Sequence, residues 1–146
     1  MAVQYGPCYA SCYISAKAST TIATVNVPIK IAGTTTAGLL NGFTHTSPGK
    51  LTYTGNETKV FEISIHGVID PAAHPAALLV GVGKNGTQDA TTLLGLNVPV
   101  HTVPTSFSTH GLVSLASTDY VEIFIENNTD NGNVEFDNAQ FVVVEV

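Results

Sequence analysis

Phe141-Val142-Val143-Val144-Glu145-Val146 ends the sequence, and its alternation decides the fold class. Successive side chains of a strand point to opposite faces. Phe141 and Val143 therefore share one face with Glu145, while Val142, Val144 and Val146 line the other. The first row suits a sandwich core. The second must meet something else, because each fully buried valine is worth about 1.5–3 kcal/mol and a lone subunit does not leave such a row in water. A subunit interface made by Phe124, Val142, Val144 and Val146 is the economical expectation; a covering loop is the alternative.

Upstream the same period recurs. Residues 120–126 put Val121, Ile123 and Ile125 inward, and residues 59–66 put Phe61, Ile63 and Ile65 on one face with Glu62, Ser64 and His66 on the other. Residues 77–82 are apolar on both faces and end at Lys84-Asn85-Gly86-Thr87, where Asn-Gly predicts a tight hairpin turn. Residues 20–31 alternate too, with Pro28 restricting that segment to an edge or a bulge. Further strands are expected at 51–54, 93–103 (interrupted at Pro99), 110–115 and 134–136. Residues 33–38 and 127–133 read as loops, and the proline-bounded 71–77 as a loop or a single turn. About eight to ten strands with regular turn signals predict an all-β sandwich or barrel, in one domain.

Composition narrows the function. The chain has no arginine, and so lacks the planar fork most phosphate and carboxylate sites use. Charged residues are 11% of 146, against about 25% in ordinary domains. Nineteen threonines supply polar surface in a form that suits pleated sheet. The net charge is −6, with seven acids and no lysine in the last 28 residues. Binding nucleic acid needs cations to replace condensed counterions, so that class is excluded. No run of about 20 apolar residues exists, so no membrane-spanning helix is expected. The first residues carry neither a basic nor an apolar signal segment, and the expectation is synthesis in a reducing cytoplasm. Cys8 and Cys12, spaced Cys-x3-Cys, read first as reduced, partly buried thiols, then as a turn-closed disulfide, and last as a metal site.

The segment 111–127, Gly-Leu-Val-Ser-Leu-Ala-Ser-Thr-Asp-Tyr-Val-Glu-Ile-Phe-Ile-Glu-Asn, resembles the L-x-x-x-D-x-V strand of the tumour-necrosis-factor/C1q-like jelly rolls. Residues 32–38, Phe43-Thr44-His45, residues 49–55 (Gly-Lys-Leu-Thr-Tyr-Thr-Gly) and Lys84-Asn85-Gly86-Thr87 resemble small tailed-bacteriophage virion proteins with stand-alone jelly rolls. The likeness spans roughly 20–146 and implies a jelly-roll β-sandwich at 20–146. Residues 1–19 match neither group and read as an N-terminal arm or a first strand. With no stalk ahead of the jelly roll, the resemblance implies a free-standing subunit that docks on an assembled shell.

Candidate chemistry is sparse. His45, His66, His74, His101 and His110 lie in separate segments without chelate spacing. No nucleophile motif occurs, so no catalytic residue is assigned, and no metal or other cofactor is expected. The oxygen-rich run 126–137 departs from the calcium-loop template: with Gly132 as turn glycine, the first, third and twelfth positions are Asn127, Thr129 and Asn138. A solvated acidic loop is the expectation and a calcium site the alternative. Asn56-Glu57-Thr58, Asn85-Gly86-Thr87 and Asn127-Asn128-Thr129 match the glycosylation sequon but read as turns.

The residues by themselves indicate a non-enzymatic, self-associating β-sandwich, and the resemblance implies a structural virion protein. It would be a capsid decoration (cement) protein on the capsid exterior, a homotrimer whose partner is the major capsid protein. Bridging contacts of about 1,600 Å² each would stabilise the shell. Tyr5, Tyr9 and Tyr13 are the candidate capsid-docking residues, since aromatics anchor interfaces. The rival is a receptor- or glycan-binding head of a phage tail or fibre, which the lack of tryptophan and arginine disfavours.

Overall fold

The computed structural model describes residues 6–72, 76–99 and 103–146. The strands are β1 (Tyr9–Ile14), β2 (Ala18–Thr20), β3 (Ile29–Lys30), β4 (Thr36–Asn41), β5 (Phe43–Thr46), β6 (Lys50–Tyr53), β7 (Lys59–Pro71), β8 (Ala76–Lys84), β9 (Thr87–Gln88), β10 (Leu94–Val98), β11 (Thr105–Leu115), β12 (Tyr120–Asn127) and β13 (Val134–Glu145). They form two antiparallel sheets. Sheet I runs β11-β7-β13-β1-β4 with β2 also on β13; sheet II runs β10-β8-β12-β6-β5 with β3 on β12 and β9 on β8.

The pairing is nested. β1 pairs β13, β6 pairs β12, β7 pairs β11 and β8 pairs β10. First-with-last pairing repeated inward is a long antiparallel ribbon wrapped into a barrel-like sandwich, which is the jelly roll. The inner rows are those the alternation predicts: Phe61, Ile63 and Ile65 on β7, Val121, Ile123 and Ile125 on β12, and Phe141 and Val143 on β13 are all buried. Tyr53 and Phe61 stack at 5.1 Å between centroids, with Phe43 at 5.2 Å from Phe61, filling one end of the core.

Several sequence expectations are corrected. Residues 20–31 do not make one strand: only β2 and β3 pair, because Asn26 turns the chain with φ at 60° just before Pro28. The loop expected at 33–38 yields to β4 from Thr36 onward. There Gly38 lies so close to Ser11 that a Cβ would overlap its hydroxyl, and the Leu39 N–H donates to Ser11 Oγ at a bulge (3.1 Å). The two strands expected at 134–136 and 141–146 are one strand, β13, kinked by a bulge at Asp137. The hairpin at Asn85-Gly86 forms as expected, both residues having positive φ (51° and 81°).

Residues 9–14, within the segment read as an arm or a first strand, lie inside sheet I between β13 and β4. Cys8, Ala10, Cys12 and Ile14 point into the core. The described part of this segment is therefore strand and not a free arm.

Candidate interaction surface

The outer face of sheet II differs in character from the patch around Tyr9 and Val144 on sheet I. On sheet II, Glu122 is buried against Lys30 (2.6 Å), and Lys50 sits 3.8 Å above the Tyr120 ring. Phe124 shares that face but is only 7% exposed, lying where a Cβ on Gly83 would overlap its ring. The glycine in the neighbouring strand gives the aromatic side chain its seat.

Sheet I presents the opposite character. Register sets Tyr9 beside Val144, Val144 beside Glu62 and Glu62 beside Leu112, one row across four strands. The next row is Ser11, Val142, Ser64 and His110; the third is Tyr13, Gln140, His66 and Ser108. Tyr9 (37% exposed), Tyr13 (40%), Val144 (43%), Val60 (45%) and Leu112 (60%) all stand on this face, with Val142 half-buried among them. No lysine lies within this patch among the described residues; at the other end of the same face Lys17 pairs with Glu135 (2.6 Å) and Asp137 (3.4 Å), beside Asp70. Five strands at about 4.8 Å spacing and six residues at about 3.3 Å give a face of roughly 500 Å².

The residues singled out in the sequence thus regroup. Val142 and Val144 share one surface with Tyr9 and Tyr13, which the sequence reading had assigned to a separate docking element. Val146 borders that surface, its N–H donating to the Val60 carbonyl (3.1 Å). Phe124 does not join them: it is covered within the chain, on the other side of the sandwich. Tyr5, His74 and His101 fall outside the described residues. Val60, Glu62, Leu112 and His110 were missed as members of the face. The alternation of 59–66 and 110–115 carried the signal, but only the β7–β11 and β7–β13 registers place those strands beside β1.

Beneath this face, the ends of β1, β7 and β13 are knotted. The Cys8 N–H donates to Glu145 Oε2 (2.7 Å), the Glu145 N–H donates to the Cys8 carbonyl (2.9 Å), and Lys59 pairs with Glu145 (2.8 Å). The Lys59 bond and the Cys8 N–H hold the Glu145 carboxyl below the usual range. Burial, then the neighbouring carboxylate, raises the Cys8 thiol; burial alone pushes Cys12 up to about 12. Both cysteines are free and buried, and neither has the low-pKa environment of a reactive thiol.

The remaining polar clusters hold turns. Asp119, the aspartate of the L-x-x-x-D-x-V segment, accepts from the Ala116 N–H (2.9 Å) and Asn85 Nδ2 (2.8 Å) and pairs with Lys84 (3.0 Å). These partners, Asn85 first, lower its carboxyl below the ordinary value. Asn85 is thereby committed on both side-chain atoms, since its Oδ1 accepts from the Tyr120 N–H (3.0 Å). In the 126–137 run, buried Asn127 donates to Asp130 Oδ1 and the Gly132 carbonyl (both 3.0 Å) and accepts from the Thr129 and Asp130 N–H groups. The loop's oxygens are turned onto its own donors. Thr35 and His45 share a 2.8 Å hydrogen bond under the β5–β6 turn. Among the described residues no three His, Cys, Asp or Glu side chains converge as metal ligands. Among the described residues no helix is long and apolar enough to cross a membrane.

No protein-family model and no curated protein sequence matches the chain. Solved structures do. An Eiger TNF from S. frugiperda superposes with a TM-score of 0.60 at 10% identity, over 97% of this chain and 94% of that one. The PRD1 vertex protein P5 superposes with a TM-score of 0.54 at 10% identity, over 94% of this chain and 95% of that one. At this identity the likeness defines the fold alone: the chain is a TNF-like jelly-roll sandwich.

Proposed function

We propose that this protein is a structural virion component, a jelly-roll subunit that self-associates as a homotrimer and decorates the exterior of a phage capsid by bridging major capsid subunits. The observation that carries the reading is the patch on the outer face of sheet I formed by exposed Tyr9, Tyr13, Val60, Leu112 and Val144, with Lys17 and its acids confined to the far end of that face. A chain of net charge −6 approaches a copy of itself most easily where its own charge is sparsest. Sheet I offers that region; sheet II, with its ion pair and cation–π contact, does not. About 500 Å² of projected sheet, enlarged by the protruding side chains, approaches the roughly 800 Å² per partner of a standard stable contact. Tyr9 and Tyr13 belong to this self-contact, and shell docking falls to the surfaces left outside it.

Native mass measurement at micromolar concentration should give a trimer. Val144→Asp should weaken it at least about tenfold, since a carboxylate without a partner is costly to desolvate. A wild-type chain that stays monomeric would overturn the reading. The likeness to a vertex protein favours a second placement, at shell vertices only. Copy number per virion separates the two, matching either the capsid subunits or the vertices.

A further inference from the structure

We infer that self-association through sheet I is controlled by pH and tightens as the pH falls from about 8 to about 6, the range in which imidazole gains its proton. The inference rests on the self-association proposed above. Its origin is Glu62, an exposed carboxylate set in an otherwise apolar row between Val144 and Leu112. A second copy that covers the row strips Glu62 of water, and a buried carboxylate needs a cation, good donors or a proton.

No lysine is free to serve it. Lys17 lies 2.6 Å from Glu135, Lys30 2.6 Å from Glu122, Lys59 2.8 Å from Glu145 and Lys84 3.0 Å from Asp119, and Lys50 covers Tyr120. Arginine does not occur. Any incoming copy brings the same committed set, so among the described residues the remaining side-chain cation source is histidine.

The face holds two. His110 is exposed, and its cross-strand partner Ser64 sets it diagonally beside both Glu62 and His66. Diagonal neighbours are within reach of long side chains. His66 is engaged, its Nε2 lying 2.8 Å from Gln140 Oε1. The other titratable groups in this patch are the hydroxyls of Tyr9 and Tyr13 on β1. β4 adds none; at the far end of the face β13 adds Glu135 and Asp137 and β7 adds Asp70, all three gathered on Lys17, and Val146 lies at the rim beside Val60.

The sign follows from the charge count. With both histidines neutral, each face carries Glu62 uncompensated, and covering it opposes association. One proton on His110 offsets the charge of Glu62 and gives it a partner. The assembled state then binds more protons than the separated chains, and association strengthens by up to about tenfold per pH unit for each proton taken up.

Sedimentation velocity on dilution series of the full chain, from about pH 5.5 to about pH 8.5, tests this. The wild-type dissociation constant should fall at least about tenfold between pH 8 and pH 6. Glu62→Gln should associate tightly at pH 8 with a flat profile, and His110→Ala should flatten the profile at the weak level. Circular dichroism should show all three chains folded. A wild-type oligomer with the same dissociation constant throughout, or a Glu62→Gln chain that keeps the wild-type slope, overturns the inference and leaves self-association standing. A chain monomeric at every pH overturns both.

Discussion

Ala10→Asp and Tyr9→Asp, adjacent substitutions in β1, should have opposite fates. Ala10 is 2% exposed and points into the core opposite Val143 and Leu40, whereas Tyr9 stands on the outer face. An aspartate at position 10 would meet no free cation, because Lys59, which reaches neighbouring Cys8, is held by Glu145. Keeping its carboxyl protonated at pH 7 costs about 4 kcal/mol, from three pH units above the ordinary aspartate value at about 1.4 kcal/mol each. The added volume costs about 1–3 kcal/mol more. The sum, about 5–7 kcal/mol, is comparable to the whole stability of a domain, about 5–15 kcal/mol. Urea unfolding followed by circular dichroism should show Tyr9→Asp melting near wild type and Ala10→Asp largely unfolded without urea. Equal midpoints would refute the placement of β1 inside the sandwich and restore a free arm. The same reasoning predicts that a chain beginning after Ile14 does not fold.

Three further outcomes are expected. Asp119→Ala, which strands the Ala116 N–H and Asn85 Nδ2, should cost about 1–3 kcal/mol in urea unfolding. Because the folded Asp119 carboxyl is lowered, its contribution is whole above the unfolded value near 3.8 and is lost as pH falls through the lower folded value. An acid titration of stability should therefore be shallower at its acid end in the variant, and an unchanged acid limb would sink the assignment. Cys8 and Cys12, both raised by burial, should resist a thiol reagent until the protein unfolds; reaction in the native state at the rate of a free thiol would contradict their burial. Chelator treatment should leave the melting temperature unchanged, while Asn127→Ala should lower it, because that side chain holds the 127–132 turn. A loss of several degrees with chelator, reversed by calcium, would instead make the loop a metal site.

The elements most legible in the sequence were those governed by one short-range rule. Val121, Ile123 and Ile125, or Phe141 and Val143, declare their inward face because burial enforces a period of two. Asn85-Gly86 declares its turn because both residues accept positive φ. What stayed hidden depended on partners far along the chain. Residues 36–38 look like loop until Ser11 is seen to need a glycine beside it. Phe124 looks like part of the Val142–Val146 row until topology puts it on the other sheet. Tyr9 and Tyr13 looked like a docking element because a four-residue spacing says nothing of the β13 neighbour that fixes them on sheet I. The outer patch of sheet I is assembled from four strands, and no single segment displays it.

The knot at Cys8 and Glu145 also has a mechanical meaning. β1 and β13 are antiparallel neighbours whose free ends lie at the same point, so tension applied to the two ends of the chain pulls them apart across the ladder. Hydrogen bonds perpendicular to the strands then meet the load one pair at a time, as in a zip, and not all together as in shear. Force passing through a subunit held by its two chain ends would open it at low load. Force borne by its sheet faces would leave that seam unstrained.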